Sequence, residues 1–435
     1  MSVIEFWDEA VFDADLGMLC ATAVPVKGTS FHNPLRLMEI YGNVGLESAL
    51  TWPEANAFLP RIPGVDLNIG NGVQHPPFTW EECDPQEIAV NFTYTTNAVY
   101  RILENLSEIG HFSENQINGL LDRVCLQLTS IYKSNRHSLI KGINNNLNMY
   151  LVSKAVESIV GVNVYNCERQ EIERTTQALH RAIEMAEDHL SLTPKQQMAI
   201  ALGKGIAFME RHDGAGPLGK NAMLEIGDIC YRNNENNIAI DHRDQLIDLV
   251  AAANDSGRCV TMCAILDDTA ETVDDLLWMQ QLLELYPLLQ INLLVNRVQI
   301  SINFSSHMLR SVFGARSFRS LAERIGKQLV VTETYCPLIS LQNNLLDSDA
   351  ERAIREADLV FVKGLNFFET CQLAEKDAFY SFVVYGPVSR SYTGLSDLSG
   401  VFAFLPKGKT GYRRTRDACQ RQTLADVCGK TQAKA

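Results

Sequence analysis

The stretch of residues 258–278 reads RCVTMCAILDDTAETVDDLLW and contains the clearest indication of the fold in this chain. Its first half is a mostly apolar run, which is typical of a strand buried on both faces of a parallel sheet. The run ends in two carboxylates, Asp267 and Asp268, and apolar residues then recur at helical spacing through Leu285. A strand that delivers acidic residues to its carboxyl end, followed at once by a helix, predicts the ligand-binding edge of an open α/β sheet. The alternative is that the two aspartates only cap the helix.

The chain from residue 256 onward alternates strand-like and helix-like segments. Candidate strands are 258–266, 290–296, 328–333, 358–363, 380–385 and 400–405, and candidate helices lie near 271–285, 305–326, 348–356 and 366–375. This alternation indicates βαβ units. The predicted fold class is therefore α/β, with a Rossmann-like, mainly parallel three-layer α/β/α domain over 256–406.

The rest of the chain is expected to form three further parts. Pro and Gly recur in residues 1–90, which predicts an irregular N-terminal region. Residues 91–255 carry apolar stripes at helical spacing, which predict a helical domain. Residues 407–435 are basic with few apolar anchors, so we expect a mobile tail there.

Composition argues against several classes of function. The net charge of −14 disfavours nonspecific binding of nucleic acid. No apolar run approaches the roughly 18 residues of a membrane span, and the first residues lack the pattern of a signal peptide. The cysteines are scattered and none form a CxxC pair, which suits reduced thiols in a cytoplasm. We expect a cytoplasmic protein that acts on a small molecule, and the sequence carries no signal for its oligomeric state.

Polar side chains follow three of the predicted strands at their carboxyl ends. They are Asp267 and Asp268 after the first strand, Arg297, Asn303 and Ser305 after the second, and Lys363, Asn366 and Glu369 after the fourth. Because the carboxyl ends of parallel strands share one edge of the sheet, we expect these groups to converge. Carboxylate and amide oxygens suit a hard cation such as Mg²⁺ or Mn²⁺, and a lysine beside them would attract an anionic ligand.

Three segments resemble motifs of the metal-dependent damage-control phosphatases. That family was first described as a domain of unknown function, and its animal branch is also called acidic-residue methyltransferase-like. Residues 266–277 resemble its Asp-Asn-Ala-Gly-Glu-x-x-x-x-Asp-Leu motif, and residues 362–370 resemble its Lys-Gly-x-x-Asn-(Phe/Tyr)-Glu segment. Residues 302–305 sit where the family has Ser-Asp-(Val/Ala)-Thr. The resemblance covers roughly residues 90 to 405 and implies the same helical and Rossmann-like architecture.

The resemblance implies a metal site formed by Asp267, Asp268 and Asn303. The family carries Asp, Asn and Asp at these positions, so the second and third have exchanged residue type in this chain. A late strand that often ends in Lys-Cys-Pro in the family continues here into residues 385–387, which read Tyr-Gly-Pro. The chain therefore resembles a diverged member that has lost one basic residue for holding phosphate.

The favoured function is metal-dependent hydrolysis of a small phosphorylated metabolite. The ion would polarise a phosphoryl oxygen and position a water, Lys363 would pair with the phosphate, and Glu271 would transfer protons. Direct attack by Asp267 on phosphorus is a variant of this mechanism. The expected substrate contacts are Arg297, Ser305, Asn366, Phe367 and Glu369.

The alternative function is an enzyme that binds S-adenosylmethionine at the same edge of the sheet, with or without a metal. It would transfer a methyl group to a carboxylate or cyclise the methionyl moiety. Asp267 or Asp268 would hold the ammonium, Lys363 the carboxylate, and an aromatic ring among Phe367, Phe368 and Tyr385 would face the sulfonium. A third alternative, a binding or scaffold protein without activity, is disfavoured because charged groups are retained at the strand ends.

Overall fold

The computed structural model describes residues 10–13, 18–21, 169–214, 238–296, 303–334, 348–370, 373, 375–412 and 422–429. Two short strands, β1 (Ala10–Asp13) and β2 (Met18–Ala21), pair antiparallel. The rest of the region 1–90 that is expected to be irregular, and the predicted helices before residue 169, lie outside the described residues. The division of the chain at residues 90, 255 and 406 stays a prediction.

A seven-stranded sheet organises the described part of the chain. Its strands are β3 (Ile238–Asp241), β4 (Val260–Ile265), β5 (Leu289–Asn296), β6 (Leu329–Thr334), β7 (Leu359–Lys363), β8 (Asp377–Val383) and β9 (Gly400–Leu405). Their order is β3-β9-β8-β7-β4-β5-β6, and all neighbours are parallel except the antiparallel pair β8 and β9. Each of the six predicted strands overlaps an observed strand. The short edge strand β3 has no counterpart among them, because four residues give too brief an apolar pattern.

Helices cover both faces of the sheet. They are α1 (Arg169–His189), α2 (Pro194–Gly214), α3 (Arg243–Asp255), α4 (Thr269–Leu285), α5 (Leu309–Gly314), α6 (Arg319–Ala322), α7 (Ser348–Glu356), α8 (Leu365–Thr370), α9 (Gly386–Thr393) and α10 (Leu424–Cys428). The single helix predicted over 305–326 is wrong. The structure has two short helices and two 3₁₀ turns there, because the backbone becomes extended at Ala315.

The core has two halves, one on each side of the sheet. On β4, Met262 and Ala264 belong to the half beneath α1–α6, whereas Cys263 and Ile265 belong to the half beneath α7–α10. This alternation follows from the two-residue period of a strand. The predicted three-layer α/β/α fold is confirmed.

Helix α4 is buried on nearly all sides. The sheet covers one side of α4, and α1 and α2 pack against other sides of this helix. On the sheet side, the Trp278 ring meets the ring of Phe361 edge to face, with centroids 5.1 Å apart. The helix that follows the two aspartates is therefore enclosed by its neighbours, and Thr269, Ala270 and Thr272 of its first turn are buried.

Part of the segment expected to be a mobile tail is packed against the domain instead. Helix α10 begins with a capping box between Thr423 and Asp426, and Leu424 is fully buried. The Tyr412 ring is also buried and stacks on Tyr392. The buried side chains of Tyr412 and Leu424 attach this segment to the domain, although the many basic residues of the segment predict a mobile tail. No helix in the described ranges has both the length and the apolar character that crossing a membrane requires.

Candidate active site at the carboxyl edge of the sheet

The two aspartates lie where β4 passes into α4, at the carboxyl edge of the sheet. Asp268 is the N-cap residue of α4 and has an extended backbone, with φ −67° and ψ 142°. Its carboxylate makes no capping hydrogen bond to the helix. Asp268 therefore occupies the N-cap position, but its side chain does not cap the helix.

Asn303 is brought to the same place by backbone pairing, although it lies far along the chain. It forms an antiparallel bridge with Asp268, and the Phe304 N–H donates to the carbonyl of Asp267 at 2.7 Å. The Asn303 side-chain Nδ2 donates to Asp267 Oδ1 at 3.0 Å. Burial of the Phe304 ring in the core anchors this crossing segment. The structure thus brings together the three residues that are predicted to hold a metal.

The backbone of Gly364, directly after β7, packs against the side chain of Asp267. Its φ is +99°, which side-chain-bearing residues rarely adopt. A Cβ atom at this position would lie 2.5 Å from Asp267 Cγ and closer still to Oδ2. The glycine therefore allows β7 and the loop after β4 to approach each other, and only its place in a Lys-Gly pair at a strand end hints at this in the sequence.

Lys363 is buried beneath the aspartates, with its side chain 1% exposed. Its Nζ lies 2.8 Å from Glu271 Oε2 and 3.4 Å from Asp275 Oδ2. The indole N–H of Trp278 donates to the other oxygen of Asp275 at 2.9 Å. Asp275 is thus a site residue that is absent from the predicted set, because it does not follow a strand end. The sequence feature that could have identified it is its four-residue spacing from Glu271, which places both carboxylates on one face of the helix.

The electrostatics of the site are dominated by crowded carboxylates. Burial raises the pKa of Asp267 to about 7, with Glu271 and Asp275 adding to the shift and Lys363 opposing it. Burial also raises the pKa of Asp268 well above its usual value. Burial alone would lower the pKa of Lys363, but Asp275 and Glu271 raise it, so the lysine stays charged. Among the described residues, Lys363 is thus surrounded by four carboxyl groups, and a further positive charge would relieve their repulsion.

Ser305 lies next to the end of β5, where it bridges to Asn296. The residue is fully buried, and its hydroxyl lies 2.9 Å from Nδ1 of His307. Phe367 is 2% exposed and belongs to the core beneath α7–α10, so a contact between its ring and a substrate stays a prediction. Phe368 is buried in the same core, and Tyr385 is half-buried at the start of α9.

Three of the predicted substrate contacts fall outside the part of the chain that the structure describes. They are Arg297 and the side chains of Asn366 and Glu369. Within the described ranges, no three His, Cys, Asp or Glu side chains are arranged to hold a metal ion. The predicted metal set instead combines two carboxylates with the amide of Asn303.

The fold and the site together define an α/β protein with a carboxylate-rich edge on a mainly parallel sheet. No family model matches the chain, and no curated protein matches it. Among solved structures, it is similar to a DUF89 family protein from Pyrococcus horikoshii, with a TM-score of 0.50 and 14% sequence identity. The match covers 73% of this chain and 98% of that chain. At this identity the likeness shows a shared fold.

Proposed function

We propose that this protein is a metal-dependent phosphohydrolase for a small phosphorylated metabolite, and a diverged relative of the DUF89 and damage-control phosphatase proteins. The observation that carries the proposal is the meeting of Asp267, Asp268 and Asn303 beside the ion-paired Lys363. The shared fold with a DUF89 family protein and the resemblance of the motifs support it.

Mn²⁺ or Mg²⁺ bound by Asp267, Asp268 and Asn303 would polarise a phosphoryl oxygen and neutralise charge at the reaction centre. The carboxylate of Asp267 would be held in one orientation for metal binding, since Asn303 and Gly364 contact it from two sides. The side-chain Nδ2 of Asn303 donates to Asp267. The side-chain oxygen of Asn303, Oδ1, is therefore the atom of that amide that can face a cation.

Glu271 is the group best placed to move a proton. Its carboxylate is held by Lys363, and its side chain remains 15% exposed. Burial raises the pKa of Glu271, which brings it nearer to the neutral pH at which general acids and bases work best. Lys363 would reduce the repulsion between an anionic substrate and the carboxylates. Arg297, Ser305, Asn366, Phe367 and Glu369 remain proposed substrate contacts.

The same charge distribution supports the second candidate function, binding of S-adenosylmethionine. Four carboxyl groups around one lysine form an environment that suits the sulfonium and ammonium groups of that molecule. An anionic phosphate would be repelled there unless a metal ion were bound. The two functions therefore differ in whether the site requires a cation before it accepts its ligand.

We propose the cytoplasm as the compartment, since Cys259, Cys263 and Cys428 are free thiols in the described part of the chain.

Calorimetric titration of the metal-stripped protein distinguishes the two functions. The wild-type chain and the Asp267→Asn variant are each titrated with Mn²⁺ and, separately, with S-adenosylmethionine. The matched control is Glu284→Gln, which removes an exposed carboxylate near the far end of the same helix. The hydrolase predicts Mn²⁺ binding that Asp267→Asn loses and Glu284→Gln keeps, followed by Mn²⁺-dependent phosphate release in a screen of phosphorylated metabolites. Binding of S-adenosylmethionine without any metal binding would overturn it.

A further inference from the structure

A second group of buried ionisable side chains lies on the side of α4 that faces α1 and α2. His189 on α1, Lys204 on α2 and Asp274 on α4 are buried, with exposures of 0%, 1% and 0%. His189 Nδ1 lies 2.7 Å from Asp274 Oδ1, and the Lys204 ammonium pairs with Asp274 Oδ2. Lys204 Nζ also donates to the backbone carbonyl of Ala270 at 3.3 Å. We call these three side chains the His189–Asp274–Lys204 triad.

The triad is not an efficient way to stabilise a helix interface. Removing three charged or polar groups from water costs free energy that their mutual attraction only partly returns. Much of the surrounding interface between α1, α2 and α4 is apolar, with residues such as Leu202, Val273 and Leu277 fully buried. A purely structural contact at this place would be served as well by apolar side chains.

The position of the triad points to the site instead. Ala270 is the second residue of α4, two residues after Asp268, and Asp274 is the neighbour of Asp275, which faces Lys363. The triad therefore holds the same two turns that carry Asp268, Glu271 and Asp275, but from an adjacent face of the helix, since consecutive residues are rotated by about 100° around its axis. Burial raises the pKa of Glu271, and the positive charges of Lys363 and Lys204 both oppose that rise.

The start of α4 also lacks the usual stabilising contact. Helix N-termini leave backbone N–H groups without partners, and an N-cap side chain normally binds one of them. The Asp268 carboxylate makes no such bond. The bond from Lys204 to Ala270 and the pair with Asp274 tie the first turns down from outside.

We propose that Lys204 and His189 are positioning residues for the metal site: by fixing the first two turns of α4 through Ala270 and Asp274, they hold Asp267, Asp268 and Glu271 in place. This inference rests on the proposed function, because it concerns the same metal site. The triad would then link α1 and α2 to the first two turns of α4.

The test replaces the whole triad by apolar residues, as His189→Leu, Lys204→Met and Asp274→Leu together. Replacing a complete buried ion pair in this way is often neutral or stabilising, so thermal unfolding is expected to be unchanged or to occur at a higher temperature. Mn²⁺ affinity, measured by calorimetry, is expected to fall about 10- to 100-fold, as when outer-shell partners of metal ligands are removed. Wild-type Mn²⁺ affinity in the folded triple variant would overturn the inference.

The control is Gln281→Leu in the same interface. Gln281 Nε2 donates to the carbonyls of Leu190 and Leu192, and it lies ten residues, about 15 Å along the helix, beyond Glu271. This variant is expected to keep wild-type Mn²⁺ affinity. An equal loss of affinity in Gln281→Leu would mean that any damage to the interface affects the site, which would overturn the specific role of the triad.

Hydrogen exchange on the wild-type chain tests whether the start of α4 is held in place, even if the triple variant does not fold. The amides of Thr272 and Val273, where the first turn of α4 passes into the second, are expected to exchange as slowly as those in the second half of the helix. Fast exchange confined to the start of α4 would overturn the inference while leaving the proposed function intact. A wild-type chain that binds no Mn²⁺ would instead overturn the proposed function, and the inference with it.

Discussion

The carboxylate of Asp267 packs directly against the backbone of Gly364, so that the ends of β4 and β7 share one wall of the candidate site. This contact holds the carboxylate in one orientation, because Asn303 approaches its other side. Three chain segments, after β4, after β5 and after β7, thereby meet at one residue.

Gly364→Ala is expected to abolish Mn²⁺ binding, because the added methyl group occupies the place of the Asp267 carboxylate. Alanine at φ +99° is also strained, at a cost of about 1–3 kcal/mol of unfolding free energy. Calorimetry with Mn²⁺ and urea denaturation measure the two effects. Gly257→Ala is the matched control, since Gly257 has φ +73° but a Cβ atom added there would meet nothing within 4 Å. Loss of Mn²⁺ binding in both variants would show that strain, and not the clash, is responsible.

Lys363→Met is expected to destabilise the fold by about 3–5 kcal/mol, because it leaves the carboxylates of Glu271 and Asp275 buried without their cation. Urea denaturation at neutral pH measures this loss. Lys195→Met is the comparison, since its partner Asp244 is 67% exposed and surface pairs contribute about 0–1 kcal/mol. Similar small losses in both variants would contradict the view that Lys363 neutralises the site.

Leu424→Ala is expected to cost about 2–5 kcal/mol of unfolding free energy, because this first residue of α10 is fully buried in the core. Leu288→Ala should change stability by less than about 0.5 kcal/mol, since Leu288 is 36% exposed. Urea denaturation of both variants tests whether residues 422–429 belong to the folded domain. Equal stability of Leu424→Ala and the wild type would mean that α10 is only loosely attached.

The parallel sheet could be predicted from sequence because its strands are buried on both faces. The first four residues of β7, 359–362, are all buried and form a continuous apolar run, and such runs stand out between helical segments. The convergence of Asp267, Asp268 and Asn303 follows from the same topology, since parallel strands place their carboxyl ends together. Strand β3 and the breaks near Ala315 are different, because a short edge strand and a local turn leave little periodic signal.

The partners of the site residues could not be predicted in the same way. The ion pair of Lys363 with Asp275 and the contact of Lys204 with Asp274 join segments that are distant along the chain. No periodicity marks such pairs, and a GlyLysGly sequence at 203–205 is equally typical of a turn. The packing of α2 on α4 decides that Lys204 is buried and paired.

The affinity for Mn²⁺ is expected to depend on pH through Asp267. Burial raises its pKa to about 7, so in the metal-free folded protein the carboxyl group is protonated below that pH and ionised above it. A cation requires the ionised form, and proton and metal therefore compete. Apparent Mn²⁺ affinity should fall as the pH is lowered through 7, and calorimetry in buffers of different ionisation enthalpy should detect proton release on binding. Wild-type affinity that stays constant across this range would show that Asp267 is not a ligand, or that it is already ionised before the metal binds.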